Sequence, residues 1–65
     1  MTKISKILDS LKLINYKFDE EANIIMPSTD DVHQVIELVN IDIALNENNI
    51  DHEVDKHNNI HLSTN

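Results

Sequence analysis

The chain has 65 residues with no glycine, no cysteine and one proline, and twelve acids against five lysines give it a formal net charge of −7 at pH 7. This length predicts one domain with a marginal core, and the lack of cysteine excludes disulfides and thiolate zinc sites. Such charge should repel nucleic acid and membranes and attract basic partners, although acidity also keeps small proteins soluble.

A short amphipathic helix is predicted over residues 2–13. Its apolar residues fall at the i, i+3, i+4, i+7 spacing of one helical face, and its lysines lie elsewhere on the circumference. The apolar positions are Ile4, Ile7, Leu8 and Leu11. The chain through Lys17 carries four lysines against Asp9, whereas the remainder carries eleven acids against Lys56.

A hairpin follows the first helix. Ile14, Tyr16 and Phe18 alternate with polar residues, which predicts a half-buried strand with these three side chains facing inward. Residues 19–23 read as a turn, and residues 24–26 begin a returning strand. Pro27 should end that strand, because proline cannot donate a ladder hydrogen bond.

A second helix is predicted from a cap at Ser28 or Thr29 to about Asn48, with Asn49 as its left-handed terminator. It has two apolar stripes. The stripe predicted to cover the sheet contains Val32, Val35, Ile36, Val39 and Ile43. The spare stripe, a predicted dimer interface, contains Leu38, Ile41 and Leu45. An exposed apolar patch on a small protein usually marks a contact; alternatively, the first helix packs on this stripe within the chain.

The stretch INYKFDEEANIIM at residues 14–26 returns thirty-six positions later as IDHEVDKHNNIHL at residues 50–62. Ile50, His52 and Val54 should therefore face as Ile14, Tyr16 and Phe18 do, and Ile60 and Leu62 should return as Ile24 and Met26 do. This correspondence predicts an α+β fold of two αββ repeats, residues 1–27 and 28–65. Their hairpins would form one antiparallel four-stranded sheet with both helices on one face.

The sequence contains no pattern that predicts an enzyme, a cofactor site or a metal site. Nucleophile and phosphate-loop motifs need glycines, and the chain has none. His57 and His61 are four apart but straddle a predicted turn, so helical ligand geometry does not apply. His52 should pack inward, and His61 should lie opposite Glu53 on the outer face.

Carboxylates spread over the second helix and both hairpins are the main functional signal. Proteins that bind DNA respond largely to the spacing of its charges, and a protein surface can present a similar array of negative charges. The predicted partner-binding acids are Asp19, Glu20, Glu21, Asp30, Asp31, Glu37, Asp42, Glu47, Asp51, Glu53 and Asp55. A symmetric dimer would present two such arrays.

In size, charge and amino-acid composition, as in the stretch KISKILDSLKLINYKFDEEANII, the chain resembles the small host-takeover proteins of phages that infect low-GC Gram-positive bacteria. Among these it is similar to the inhibitors that mimic DNA, such as the one that occupies the DNA-binding surface of the nucleoid protein HU. The resemblance implies a dimer that competes with DNA for a basic cleft. The basic first helix departs from a uniformly acidic mimic.

Two alternatives remain open. The chain could be an anti-CRISPR or anti-restriction inhibitor, or an interaction module that binds a partner through the apolar stripe of its second helix. Nothing in the sequence reaches the roughly 20 apolar residues of a membrane span or resembles a signal peptide. We therefore expect a protein of the host bacterial cytoplasm with no direct binding to nucleic acid.

Overall fold

The computed structural model describes residues 3–63. Its elements run, in chain order, α1 (Lys3–Leu11), β1 (Tyr16–Asp19), β2 (Ile24–Pro27), α2 (Gln34–Glu47), β3 (His52–Val54) and β4 (Ile60–Leu62). The strands form one antiparallel sheet in the order β1-β2-β4-β3. The α+β class, two helices and antiparallel four-stranded sheet are thus as predicted, whereas the relation of the two halves as repeats stays a prediction. Thr2 lies outside the described residues.

Helix ends and hairpin turns use left-handed residues other than glycine. Lys12 follows α1 with φ 52°, and Asn49 follows α2 with φ 58°, which confirms the predicted terminator. Asn23 and Asn58 adopt φ 56° and 64° just before β2 and β4. Asparagine tolerates this region better than other residues with a Cβ, so a chain without glycine can still make these turns.

The start of α2 was predicted wrongly. The helix begins at Gln34, not after Ser28 or Thr29, and its N-cap residue His33 makes no side-chain capping bond. The Thr29 hydroxyl lies 2.5 Å from Asn15 Oδ1 and is therefore used to fix the connection between β2 and α2. The Gln34 side chain donates to the Thr29 carbonyl at 2.6 Å. Thr29, a residue type that commonly caps helices, therefore stabilises the loop before α2 and does not cap the helix.

The core lies on one face of the sheet. Phe18, Ile25, Ile60 and Val54 are paired in a row across all four strands, and side chains paired in this way share a face. Ile25 and Ile60, in the middle of the row, are fully buried. The whole buried cluster contains Leu8, Tyr16, Ile25, Ile41, Leu45, Ile60 and Leu62. Leu8 of α1 and Ile41 and Leu45 of α2 therefore belong to the same buried cluster as the sheet residues.

The two stripes of α2 have the opposite roles to those predicted. Ile41 and Leu45 are fully buried, and Leu38 packs against the core, so these residues are not available as a surface for a second copy. The stripe predicted to cover the sheet is instead at least half exposed, at Val32, Val35, Ile36, Val39 and Ile43. α1 contacts α2, and the alternative that α1 packs on the stripe of Leu38, Ile41 and Leu45 stays a prediction. The side chains of Leu38, Ile41 and Leu45 face the core, whereas the stripe made mainly of valine faces outward.

One inward position in the first hairpin differs from the prediction, and so does the match between the two hairpins. Ile14 is 79% exposed, because β1 begins only at Tyr16. Phe18 pairs with the buried Ile25, whereas Val54 pairs with Ile60, the residue that the sequence correspondence aligns with Ile24. The segment from Val54 to Ile60 is thus one residue shorter than the segment from Phe18 to Ile25. A shift of one residue exchanges the two faces of a strand.

Candidate functional site: the acidic surface

The predicted acids divide into two groups by exposure. Glu37, Asp42 and Asp55 are half-buried, and each carboxylate is bonded within the chain. The exposed members are Asp19, Glu20, Glu21, Asp30, Asp31, Glu47, Asp51 and Glu53. The first group serves the fold, and the second provides the surface charge.

The Glu37 carboxylate on α2 fixes the segment that leads into β1. It accepts hydrogen bonds from the backbone N–H of Ile14 at 3.1 Å and of Asn15 at 2.8 Å. The Asn15 side-chain amide donates to its second oxygen at 2.9 Å. Asn15 is buried, and sequence reasoning did not single it out because a lone asparagine between apolar residues looks like the outer side of a strand.

Asp42 is paired with His52, which joins α2 to β3. His52 Nε2 lies 2.5 Å from Asp42 Oδ1, and its Nδ1 lies 2.8 Å from the Ile50 carbonyl oxygen. The imidazole faces inward as predicted, with only 6% of the side chain exposed. Burial alone would lower the pKa of His52, but the hydrogen bonds to Asp42 and Ile50 and the charges of Asp42 and Asp51 outweigh it and raise the pKa.

Asp55 organises the turn between β3 and β4. Its carboxylate accepts the backbone N–H groups of His57 at 2.8 Å and Asn59 at 3.0 Å, and its Oδ2 lies 2.8 Å from His61 Nε2. The hydrogen bond from His61, followed by those of the turn backbone, holds the pKa of Asp55 well below its usual range. This acid stays ionised and bonded, so it acts as a turn residue.

Asp19 and Asp31 also bond to the local backbone but remain exposed. Asp19 Oδ1 accepts the N–H of Glu21 at 3.1 Å. Asp31 Oδ1 accepts the N–H of His33 at 2.8 Å and lies 2.6 Å from His33 Nδ1. The backbone bond from His33, then its side-chain bond, lowers the pKa of Asp31. Asp31 therefore stays charged while it holds its turn, and Asp19 holds the turn that follows β1.

The remaining exposed carboxylates are solvated. Glu20 accepts a hydrogen bond from the Ser5 hydroxyl at 2.9 Å. Over residues 3–63 the other five form no side-chain hydrogen bond or ion pair, and they are Glu21, Asp30, Glu47, Asp51 and Glu53. Every ion pair in that part of the chain joins a histidine to an aspartate, so no lysine there forms an ion pair with a carboxylate.

Four acids meet around an open groove of about 640 Å³ between α1 and the β1-β2 turn. Asp19 is the last residue of β1, Glu20 and Glu21 come from the turn, and Asp9 comes from α1. Phe18 and Lys17 also line the groove. Asp9 was not among the predicted acids, because it lies in the basic first segment. Only the packing of α1 beside the turn brings it to this site, and no local sequence signal shows that packing.

The outer face of the sheet carries a second group of charges. Asp19, Ile24, His61 and Glu53 are paired in one row across the sheet. The predicted opposition of His61 and Glu53 is confirmed. With strands about 4.8 Å apart, the two acids at the ends of the row are separated by roughly 14 Å. The acids thus form groups at several places, and Asp19 belongs both to the groove and to this row.

Within residues 3–63 no three histidine, aspartate or glutamate side chains come together as a metal-binding group. None of the helices in that range has the length and apolar character that crossing a membrane requires. Comparisons with protein-family models, curated proteins and solved structures gave no match.

Proposed function

We propose that the protein is a non-enzymatic inhibitor that occupies the DNA-binding surface of a basic protein, with its exposed carboxylates in the place of phosphates. The observation that carries this proposal is the absence of lysine–carboxylate ion pairs over residues 3–63, where all ion pairs involve histidine. Solvated carboxylates keep their full charge for a partner, and charge of one sign attracts a surface of the other.

The distribution of the charge supports the same proposal. From Phe18 onward the chain carries eleven acids against Lys56, and eight of the predicted acids are exposed. Duplex DNA presents one negative charge per roughly 1.7 Å of its axis, and the proteins that bind it respond to that charge largely independently of sequence. Acids at the groove, on the outer sheet face and at the end of α2 would engage lysines and arginines in a similar way.

The sequence resemblance names a candidate partner, a nucleoid protein of the HU type, and the place of action would then be the bacterial cytoplasm. An HU-type protein binds DNA through basic residues, which is the chemistry that this surface fits. An anti-CRISPR or anti-restriction role would use the same acids against a different basic channel.

The test is displacement of a fluorescent DNA duplex from purified HU-type protein, followed by anisotropy. The wild type should displace the duplex. The triple variant Glu21→Gln, Glu47→Gln, Glu53→Gln removes three solvated charges and no internal bond, so its displacement should be at least about tenfold weaker, with about 0.5 kcal/mol lost at each site.

A matched control neutralises three lysines, as Lys6→Gln, Lys17→Gln and Lys56→Gln, and should displace DNA at least as well as the wild type. Circular dichroism must show the same fold for all three proteins. Failure of the wild type to displace DNA, or equal displacement by the glutamine triple variant, would contradict mimicry of DNA by these acids.

A further inference from the structure

Helix α2 presents an apolar surface that the chain leaves uncovered. It consists of four residues that are between 50% and 57% exposed, here called the α2 stripe: Val35, Ile36, Val39 and Ile43. The fully buried Ile41 and Leu45 lie on the opposite side of the helix. Asn46, which is exposed and uncharged, falls within the same sector as the stripe. An exposed apolar patch on a small protein usually marks a contact with another molecule.

A shallow depression extends the α2 stripe at the amino-terminal end of the helix. Its volume is about 390 Å³, and Ile36 and the 79% exposed Ile14 form its apolar lining. The rest of the lining comes from Asn15, Asp31, His33 and Glu37. The Asp31 side chain is 53% exposed, and its bonds to His33 use Oδ1 and leave Oδ2 accessible. The depression can therefore take an apolar side chain with a cation beside it.

Acidic residues flank the α2 stripe on both sides. At 100° per residue, the stripe covers a sector of about 100° from Val35 to Ile36. Asp42 lies about 20° beyond Val35, and Glu47 lies about 20° beyond Ile36. Asp42 bonds to His52 through Oδ1 and keeps 45% of its side chain exposed, and Glu47 is exposed. Both sides of the stripe can therefore receive a cation.

Helix α2 has no basic residue of its own. The sequence has no arginine, and it has no lysine between Lys17 and Lys56. Lys3 donates to the carbonyl of Asn48, just after α2, at 3.5 Å, and Asn48 lies half a turn of the helical circumference away from Val39. The surface of the stripe is thus apolar at its centre and negative along its flanks.

This charge pattern selects one kind of partner. In a pair of stripes from two copies, the flanking acids of both molecules would meet and repel each other. An anionic membrane surface would be repelled for the same reason. An amphipathic helix with lysines or arginines beside its apolar face matches both the centre and the flanks. Val35, Val39 and Ile43 form an i, i+4 ridge of the kind that packs into the groove of another helix.

We propose that the α2 stripe is a docking surface for an amphipathic helix of another protein, with an apolar face bordered by lysines or arginines. A large apolar side chain of that helix occupies the depression at Ile14 and Ile36. Its cations pair with Asp31, Asp42 and Glu47. This goes beyond the proposed function, because it concerns an apolar surface and a helical segment and not carboxylates in the place of phosphates.

Binding of a labelled synthetic peptide to the full chain, followed by fluorescence anisotropy, tests the proposal. The probe has about 18 residues, long enough to form a helix, with leucines at i, i+3, i+4, i+7 spacing and lysines on both sides of that face. It should bind saturably, with one peptide per chain. A peptide of the same composition, reordered so that it has no apolar face, should bind at least about tenfold more weakly.

The apolar part of the contact is tested by Val35→Ser combined with Ile43→Ser. These substitutions leave every carboxylate in place, and the dissociation constant of the amphipathic peptide should rise at least about tenfold. Val54→Ser is the matched control, because Val54 is a similarly exposed valine on β3. It should leave the dissociation constant within about twofold of the wild-type value. Circular dichroism checks that each variant keeps the fold.

The charged part of the contact is tested by reversing one carboxylate at a time. Glu47→Lys places a cation at the flank of the α2 stripe and should raise the dissociation constant at least about fivefold. Glu53→Lys makes the same change in net charge on the outer face of the sheet and should raise it less than about twofold. Equal effects would mean that net charge alone attracts the peptide, which would overturn the proposal.

Other outcomes would also overturn it. One is the absence of binding by the wild type up to about 1 mM peptide, the range of very weak association. Equal binding of the two peptides, or unchanged binding by the double serine variant, would do the same. Self-association of the wild type in sedimentation equilibrium, abolished by Val35→Ser with Ile43→Ser, would place a second copy on the stripe instead.

DNA displacement separates this proposal from the proposed function. The double serine variant keeps all of its carboxylates, so it should displace DNA from the HU-type protein as the wild type does. Loss of peptide binding with displacement retained would support two independent surfaces. Failure of the wild type to displace DNA, with peptide binding as described, would contradict the proposed function and support the docking surface.

Discussion

The Glu37 carboxylate on α2 holds Asn15, just before β1, through two hydrogen bonds, from the backbone N–H at 2.8 Å and from the side-chain amide at 2.9 Å. This pair joins the helix to the edge of the sheet. Glu37 is half-buried and Asn15 is buried, so this predicted partner-binding acid also has a structural role.

Replacing Glu37 with glutamine should destabilise the fold. Glu37→Gln removes a charged acceptor from several hydrogen bonds, and bonds to charged groups contribute about 1.5–3 kcal/mol. We expect the free energy of unfolding, measured by urea denaturation, to fall by about that amount. Glu47→Gln on the same helix is the control and should change it by less than about 0.5 kcal/mol. Equal effects of the two substitutions would show that the contact with Asn15 does not stabilise the protein.

Two isoleucines on α2 test which side of the helix is buried. Ile41 is fully buried and Ile43 is 50% exposed. Ile41→Ala should lower the free energy of unfolding by about 2–5 kcal/mol, as for other large-to-small changes in a core. Ile43→Ala should cost less than about 1 kcal/mol. The reverse order would mean that the stripe predicted from the sequence, and not the one observed, covers the sheet.

The pair of Asp42 and His52 should make stability depend on pH near neutrality. The pKa of His52 is raised above 6.5 in the folded protein, so its contribution is fully present below about pH 6.5 and is lost as pH rises through the folded pKa. We expect the free energy of unfolding to fall as pH rises above about 6.5. Asp42→Asn should reduce this fall, because burial then lowers the pKa of His52 without the opposing effect of the Asp42 carboxylate. A fall of the same size in the variant would contradict the role of Asp42.

The turn held by Asp55 should contribute to stability in the opposite pH range. Its pKa is lowered from 3.8 by hydrogen bonds from His61 and the turn backbone, so its contribution is present above about pH 4 and is lost as pH falls. Asp55→Asn should lower the melting temperature at pH 7 and flatten the acid side of the stability profile. Glu53→Gln, two residues earlier and without internal bonds, should leave both unchanged. A profile of Asp55→Asn that follows the wild type would contradict this assignment.

The left-handed residue after α1 offers a stabilising change. Lys12 adopts φ 52°, a conformation that costs a residue with a Cβ about 1–2 kcal/mol. Lys12→Gly should therefore raise the free energy of unfolding by up to about 1 kcal/mol. The gain from relieving the strain is partly offset because glycine has more conformational freedom in the unfolded chain. Lys6→Gly, inside α1, should lower it by about 1 kcal/mol. Loss of stability in both variants would rule out strain at Lys12.

Local sequence patterns predicted the types of the elements, and long-range contacts explain what they missed. The helical spacing of Ile4, Leu8 and Leu11 and the left-handed Asn49 depend on neighbouring residues only, so both could be predicted. The orientation of α2 could not, because both of its sides are apolar. It is set by residues distant in sequence, namely the bonds of Glu37 to Asn15 and of Asp42 to His52.

The same reason limits the prediction of the acidic site. The exposed charges of Glu21, Glu47 and Glu53 follow from their places in a turn, at a helix end and on the outer side of a strand. The structural use of Glu37 and Asp42 depends on partners that no local pattern reveals. Substitutions at those two acids would damage the fold and the surface together, which is why the binding tests use the solvated acids.

The salt dependence of binding to a basic, DNA-binding protein of the HU type tests the central claim most directly. If the carboxylates act in the place of phosphates, the logarithm of the association constant should fall steeply with the logarithm of salt concentration between about 0.05 M and 0.5 M. The triple variant Glu21→Gln, Glu47→Gln, Glu53→Gln should have a clearly smaller slope. A flat dependence for the wild type, or the same slope for both proteins, would contradict the account.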